Sequence, residues 1–212
     1  MNSPIESLIR NESQLKIAAL QDEVTRIIFD TVAATMHGGT AIWRCYSGSR
    51  FSEDIDLYMD KDTYLKKAVN RLALSGLRIR FNRRRNGTVY HDVFEGTTKI
   101  SLQTRISKKK GILAMYERID GVKMDIYSLS PENLIKEKID TYTDRRLIRD
   151  VYDIMVLTRS VTDKAKVAGV LGDFLLKINK PNDENILKEL IYTGVIPSFD
   201  EIVIYLKRWC GS

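Results

Sequence analysis

The chain has 212 residues, of which 43% are hydrophobic and 29% charged, and it carries a net charge of +6 at pH 7. That length buries a core in one large or two small domains, and that composition excludes disordered and fibrous classes. No apolar run approaches the ~20 residues that span a bilayer, and Met1-Asn2-Ser3-Pro4-Ile5-Glu6 lacks the basic start and apolar core of a signal peptide. A cytoplasmic protein with no membrane partner is therefore expected. Cys45 and Cys210 are the only cysteines and have no metal-ligand spacing, which argues against a disulfide framework or a zinc site.

In chain order, Gln14 to Thr35 reads as a helix, because Leu20, Val24, Ile27, Ile28 and Val32 form one apolar stripe at spacings of three and four. Gly38-Gly39 breaks it, and Thr40 to Tyr46 reads as a short helix capped by Thr40 and ended by Gly48. Asp54 to Met59 alternates as a strand, and Asp62 to Leu74 returns to helix. Three strands follow, Leu77 to Arg83, Thr88 to Phe94 and Lys99 to Ile106, with turns at Asn86-Gly87 and Gly96. Gly121 to Ser128 is a further strand. Ser130-Pro131-Glu132-Asn133 then starts a helix with proline at its first position, and helical periodicity continues to the end. It is plainest in Val167, Val170, Leu171, Phe174, Leu175 and Ile178, and Lys180 to Asp183 reads as a loop. The fold class expected is α+β, with a mixed sheet flanked by helices over residues 1–128 and a helical domain over 129–212.

The charge is uneven. Ten basic residues lie between Arg78 and Lys110, opposed only by Asp92 and Glu95, so this stretch carries +8 and the rest of the chain is slightly acidic. Such a concentration attracts a polyanion through counterion release. Arg83, Arg84, Arg85, Lys108, Lys109 and Lys110 are its densest parts and the candidate contacts to a phosphate polyanion; a solvated basic face is the plainer alternative.

Alternate strand residues share a face, so Asp54 and Asp56 project together while Ile55 and Leu57 point into the core. Paired carboxylates repel, and a hard divalent cation, Mg²⁺ or Mn²⁺, relieves them while keeping coordination sites for water and phosphate oxygens. Two such ions stabilise the attacking and leaving oxygens of a displacement at phosphorus. Asp125 in Val122-Lys123-Met124-Asp125-Ile126-Tyr127 supplies a third carboxylate if its strand lies beside the first; otherwise it pairs with a nearby cation. Gly38-Gly39-Thr40 leads into a helix N-terminus, where free N–H groups accept an anion. Ser52 is placed to orient a phosphate or to cap the Asp54 strand, and Arg50 to meet phosphate or to pair with Glu53.

These residues resemble the polymerase-β-like nucleotidyltransferase superfamily, and more narrowly its AbiEii/AbiGii branch of type IV toxin–antitoxin and phage-defence toxins. The resemblance lies in Gly38-Gly39-Thr40-Ala41-Ile42 followed by Gly48-Ser49-Arg50-Phe51-Ser52-Glu53-Asp54-Ile55-Asp56-Leu57. A second match runs from Pro131-Glu132-Asn133-Leu134-Ile135-Lys136-Glu137-Lys138-Ile139 to Arg145-Arg146-Leu147-Ile148-Arg149-Asp150-Val151-Tyr152-Asp153-Ile154, with the aspartate of the Arg-Asp pair twelve residues after Lys138. The resemblance implies a catalytic domain and a helical domain that complete one active site, and transfer of a nucleoside monophosphate from an NTP with release of pyrophosphate. It makes Asp54 and Asp56 metal ligands and Lys138 and Asp150 site residues from the helical side. It also implies a cognate antitoxin and, in some relatives, the 3′ end of tRNA as acceptor. A lysine suits the triphosphate and an aspartate can hold it or act as base. Arg145 and Arg149, four apart, are expected on one helix face, meeting phosphates or the Asp153 region.

Three other readings fit less of the sequence. A small-molecule nucleotidyltransferase of the antibiotic-modifying type calls for an acidic acceptor pocket, whereas the excess here is basic. A protein-modifying transferase uses the same residues. A nucleotide- or RNA-binding module without turnover would have been free to lose Asp54, Asp56, Lys138 and Asp150. His37 reads as a packed strand histidine, and His91 has no evident partner.

Overall fold

The computed structural model describes residues 5–9 and 11–211. Its elements are α1 (Ile5–Leu8), α2 (Glu12–Thr31), β1 (Thr35–His37), α3 (Gly38–Cys45), β2 (Asp54–Met59), α4 (Asp62–Leu74), β3 (Arg78–Arg85), β4 (Thr88–Glu95), β5 (Thr98–Ile106), β6 (Ile112–Glu117), β7 (Lys123–Ser128), α5 (Pro131–Arg145), α6 (Ile148–Leu157), α7 (Ala168–Lys177), α8 (Leu187–Leu190) and α9 (Phe199–Gly211). No helix among the described residues is long and apolar enough to cross a membrane. Both cysteines are free thiols.

The chain divides into two compact units, residues 1–45 with 51–129, and residues 46–50 with 130–212. The first holds a seven-stranded mixed sheet in the order β3-β4-β5-β2-β1-β7-β6. Its strands β3, β4 and β5 form an antiparallel meander, β5 runs parallel to β2, and β1 pairs antiparallel with β2 and parallel with β7. Alternation then sorts every side chain in the register. Ile55, Leu57, Ile100, Leu102, Val89 and Val93 fall on one face and are buried, where α2 and α4 pack through Leu20, Val24, Ile28, Leu65, Ala68 and Leu72. The opposite face carries Asp54 and Asp56.

Turn chemistry fixes the meander. Asn86 and Gly87 both take positive φ (49° and 78°), the left-handed pair that a two-residue hairpin needs. A buried polar knot joins α2, α3 and β6. Asp22 accepts from Arg44 Nη2, Tyr116 Oη and Ile119 N, each at 2.9 Å. Burial pushes the Asp22 carboxyl up, against the pull of Arg44.

In the second unit, Ser130 caps α5 by accepting from Asn133 N, with Pro131 at the first helical position, as expected. Residues 46–50 join this unit through Tyr192 N to Ser49 O (3.1 Å), Tyr192 Oη to Gly48 O (3.1 Å) and a bridge between Arg50 and Ile191. Several expected bounds shift. The helix expected to reach Thr35 ends at Thr31, and Thr35–His37 forms β1. β6, which shows no clean alternation, is an additional strand.

Candidate functional site

β2 sets Asp54 and Asp56 two residues apart on one sheet face, both half-buried. Their neighbours follow from register: Ser101 lies beside Asp54 and Gln103 beside Asp56 on β5, and His37 lies opposite Asp56 on β1. His37 stacks on Tyr58, with ring centroids 3.8 Å apart and planes 7° from parallel. It is thus a packed strand histidine, as read from the sequence, and it walls the Asp56 side of the site. His91 lies on the core face with its Nδ1 buried and unpaired, and burial lowers its basicity.

Gly38 begins α3 at φ +72°, and a Cβ added there would collide with the Asp56 carboxylate. Both facts require glycine. The Gly38 backbone backs directly onto the Asp56 carboxylate, an approach that only a residue without a Cβ allows. Thr40, expected to cap this helix, instead donates its buried hydroxyl to Asp54 O and so ties α3 to the strand that carries the aspartates. Gly38→Ala is accordingly expected to displace Asp56 while sparing the core. A misplacement of ~1 Å costs about 10²-fold in turnover, so kcat should fall to that extent with a small change in Tm. Unchanged kcat would show that the position of Asp56 is immaterial.

Asp125 does not join this pair. β1 separates β7 from β2, about 10 Å at two strand spacings. Because Ser128 aligns with Met36 and Asp56 with His37, Asp125 is also four residues out of register, roughly 13 Å along the strands. It is exposed, opposite Met115. Among the described residues no group of three or more His, Cys, Asp or Glu could hold a metal, so the expected three-carboxylate cluster is absent and the acidic pair stands without it.

All ten basic residues from Arg78 to Lys110 are exposed. Alternation, with a bulge between Phe81 and Arg83, places Arg78, Arg80, Arg83, Arg85, Lys99 and Arg105 on the aspartate face. Arg78 lies over Phe94 (3.9 Å) and Arg83 over Tyr90 (4.8 Å), while Arg80 pairs with Asp92. Arg84 points to the opposite face and pairs with Asp62 of α4 at 3.3 Å. The Arg83-Arg84-Arg85 run is therefore split, two residues on the aspartate face and one turned away. The lysine loop is pinned by Ser107 N to Met59 O (2.9 Å) and Gly111 N to Thr35 Oγ1 (3.1 Å), with Lys109 Nζ 5.1 Å from the Tyr58 ring.

The second unit has its own charged cluster. Lys138 of α5 reaches Asp150 Oδ1 (3.1 Å) and Asp153 Oδ2 (2.7 Å) of α6. Arg145 holds Asp150 by two bonds of 2.8 Å. Arg50 forks onto Asp153 at 2.8 and 2.7 Å, so it pairs with Asp153, 103 residues away, and not with Glu53. Burial alone would raise the Asp153 carboxyl; Arg50 and Lys138 outweigh it and hold it low. Arg145 ends α5, Arg146 turns left-handed (φ 50°, ψ 51°), and Arg149 belongs to α6, so Arg145 and Arg149 do not share a helix face. Sequence reading identified Lys138 and Asp150 but missed Asp153 as the bridge between Lys138 and Arg50. Its signal was the spacing of three from Asp150, which puts both carboxylates on one face of α6. For Ser52 the backbone matters: its carbonyl accepts from Gln21 Nε2 at 2.8 Å.

The family described as "Nucleotidyl transferase AbiEii toxin, Type IV TA system" matches residues 25–203. No curated protein matches the chain. Among solved structures it is similar to MenT4, a nucleotidyltransferase toxin from Mycobacterium tuberculosis H37Rv, at 16% identity and TM-score 0.67, covering 93% of this chain and 82% of that one. It is also similar to JHP933 from Helicobacter pylori (18%, TM-score 0.59, 92% and 90% covered) and to a nucleotidyltransferase described from H. pylori (17%, TM-score 0.57, 91% and 93% covered). These likenesses establish the fold.

Proposed function

Since the chain belongs to the AbiEii family of nucleotidyltransferase toxins, we propose that it transfers the nucleoside monophosphate of an NTP to the 3′ end of a tRNA, as the toxin of a type IV system with a cognate antitoxin. In this reaction an acceptor hydroxyl oxygen gives up its proton to solvent and bonds to the α-phosphorus, the bond from that phosphorus to the β-phosphate bridge breaks, and pyrophosphate leaves.

Two half-exposed carboxylates on alternate residues, backed by the Gly38 main chain, fit a hard divalent cation that also takes water and phosphate oxygens. Asp54 and Asp56 would hold Mg²⁺ or Mn²⁺, which when bound neutralises charge on phosphate oxygens. Gly38, Gly39 and Thr40 would receive phosphate at the start of α3, aided by Ser52. In the second unit Lys138 would meet the triphosphate, with Asp150 fixing the ammonium by the bond it already makes. Arg50, neutralised by Asp153, serves to hold that second carboxylate, and Asp125 takes no part.

The observation that carries the RNA assignment is the sharing of one sheet face by the acidic pair and six exposed cations, three of them laid over aromatic rings. Such a surface suits a ribose-phosphate chain with unstacked bases. RNA affinity measured against salt tests it. Each lost phosphate contact lowers the slope by roughly 0.7–0.9, so Arg83→Gln/Arg85→Gln should flatten it by between one and two, whereas Arg84→Gln should leave it unchanged. Equal effects of Arg84→Gln and the double variant would remove this face from the acceptor site.

A further inference from the structure

The cluster at the start of α6 contains more cations than its carboxylates can serve. Asp150 is held by Lys138 and Arg145, and Asp153 by Arg50 and Lys138, so both carboxylates are engaged. Asp183 caps α6 by accepting from Ile148 N at 2.7 Å. Arg149, one residue before Asp150, is half-buried, and its Nε is buried with no hydrogen-bond partner. Burial and the like charges of Arg145 and Arg50 depress its basicity, and Asp150 and Asp153 do not compensate. A guanidinium partly withdrawn from water into a field of its own sign costs stability unless an anion joins it.

We propose that Arg149 is a substrate-binding residue for a compact phosphate polyanion, the triphosphate of the NTP or the pyrophosphate released from it. The inference rests on the nucleotidyl-transfer reading above. The planar guanidinium presents forked donors that match phosphate oxygens, and the surplus charge is gathered at one point. An RNA backbone, with phosphates spaced along a chain, suits the extended row of cations on the first unit's sheet instead.

Calorimetric titration of the full chain with inorganic pyrophosphate tests the assignment, alongside titration with a short single-stranded RNA and thermal unfolding without ligand. Arg149→Gln should weaken pyrophosphate binding by about tenfold or more, the loss of one charge-assisted contact. Arg149→Lys, which keeps charge but loses the fork, should fall between the two. RNA affinity should stay within about twofold, and the ligand-free Tm of Arg149→Gln should equal or exceed that of the wild type because the charge crowding is relieved. Wild-type affinity for pyrophosphate in Arg149→Gln, a lower ligand-free Tm, or a loss that falls on RNA would each overturn the proposal. Pyrophosphate release from NTP by the wild type separates the two claims. If the wild type turns over and Arg149→Gln binds equally well, the Arg149 assignment alone fails. If the wild type neither turns over nor binds pyrophosphate, the nucleotidyl-transfer reading fails with it.

Discussion

Asp56→Ala is expected to lose pyrophosphate release by roughly 10³-fold, since charge neutralisation at the phosphoryl group contributes several kcal/mol to the transition state. The same change should leave Tm equal to or above that of the wild type. Asp56 shares a sheet face with Asp54 and is half-exposed, so its removal relieves carboxylate repulsion without opening the core, which lies on the Ile55 and Leu57 face. Opposite effects on turnover and stability separate a ligand role from a structural one. Full turnover in Asp56→Ala would make the metal assignment wrong, and a large fall in Tm would make Asp56 a structural residue.

The second large effect is expected in stability. Asp153→Ala removes the carboxylate that Arg50 and Lys138 share, and Arg50 is itself buried. Stranding a buried cation costs about 3–5 kcal/mol, equivalent to a fall of roughly 10 °C in Tm for a chain of this size. Lys138 retains Asp150, so the loss falls chiefly on Arg50. Arg50→Met/Asp153→Leu, which replaces the pair by packed apolar groups, should recover most of the loss. A cost below about 1 kcal/mol for Asp153→Ala, the range of exposed pairs, would contradict a buried, desolvated network.

Much of the fold was legible because its signals are local. The alternation of Asp54–Met59, the apolar spacing of Asp62–Leu74, the Asn86-Gly87 turn and the Ser130-Pro131 start each specify structure within a few residues, and the observed elements begin where those signals put them. Thr35, the first residue of β1, was read as the end of the preceding helix because three residues carry no period; Thr35, Met36 and His37 become a strand only by pairing with β2 and β7. β6 escaped notice since Ile112, Leu113 and Met115 are exposed and the run lacks alternation.

The candidate site divides in the same way. The face shared by Asp54 and Asp56 follows from a period of two, and the same rule, applied to Arg83-Arg84-Arg85, would have turned Arg84 away from its neighbours. Asp125 was correctly set on a strand, but strand order is a tertiary property, and β1 lies between. The partner of Arg50 is 103 residues distant, beyond any local rule, so the sequence offered only a phosphate or the nearby Glu53.

Incubation with each of the four α-labelled NTPs, Mg²⁺ and total tRNA, either intact or with the 3′-terminal ribose oxidised by periodate, tests the central claim most directly. Label is expected on intact tRNA, with none on oxidised tRNA and none with Asp56→Ala. Label on oxidised tRNA, on protein or on a small molecule in place of intact tRNA would contradict the acceptor assigned here.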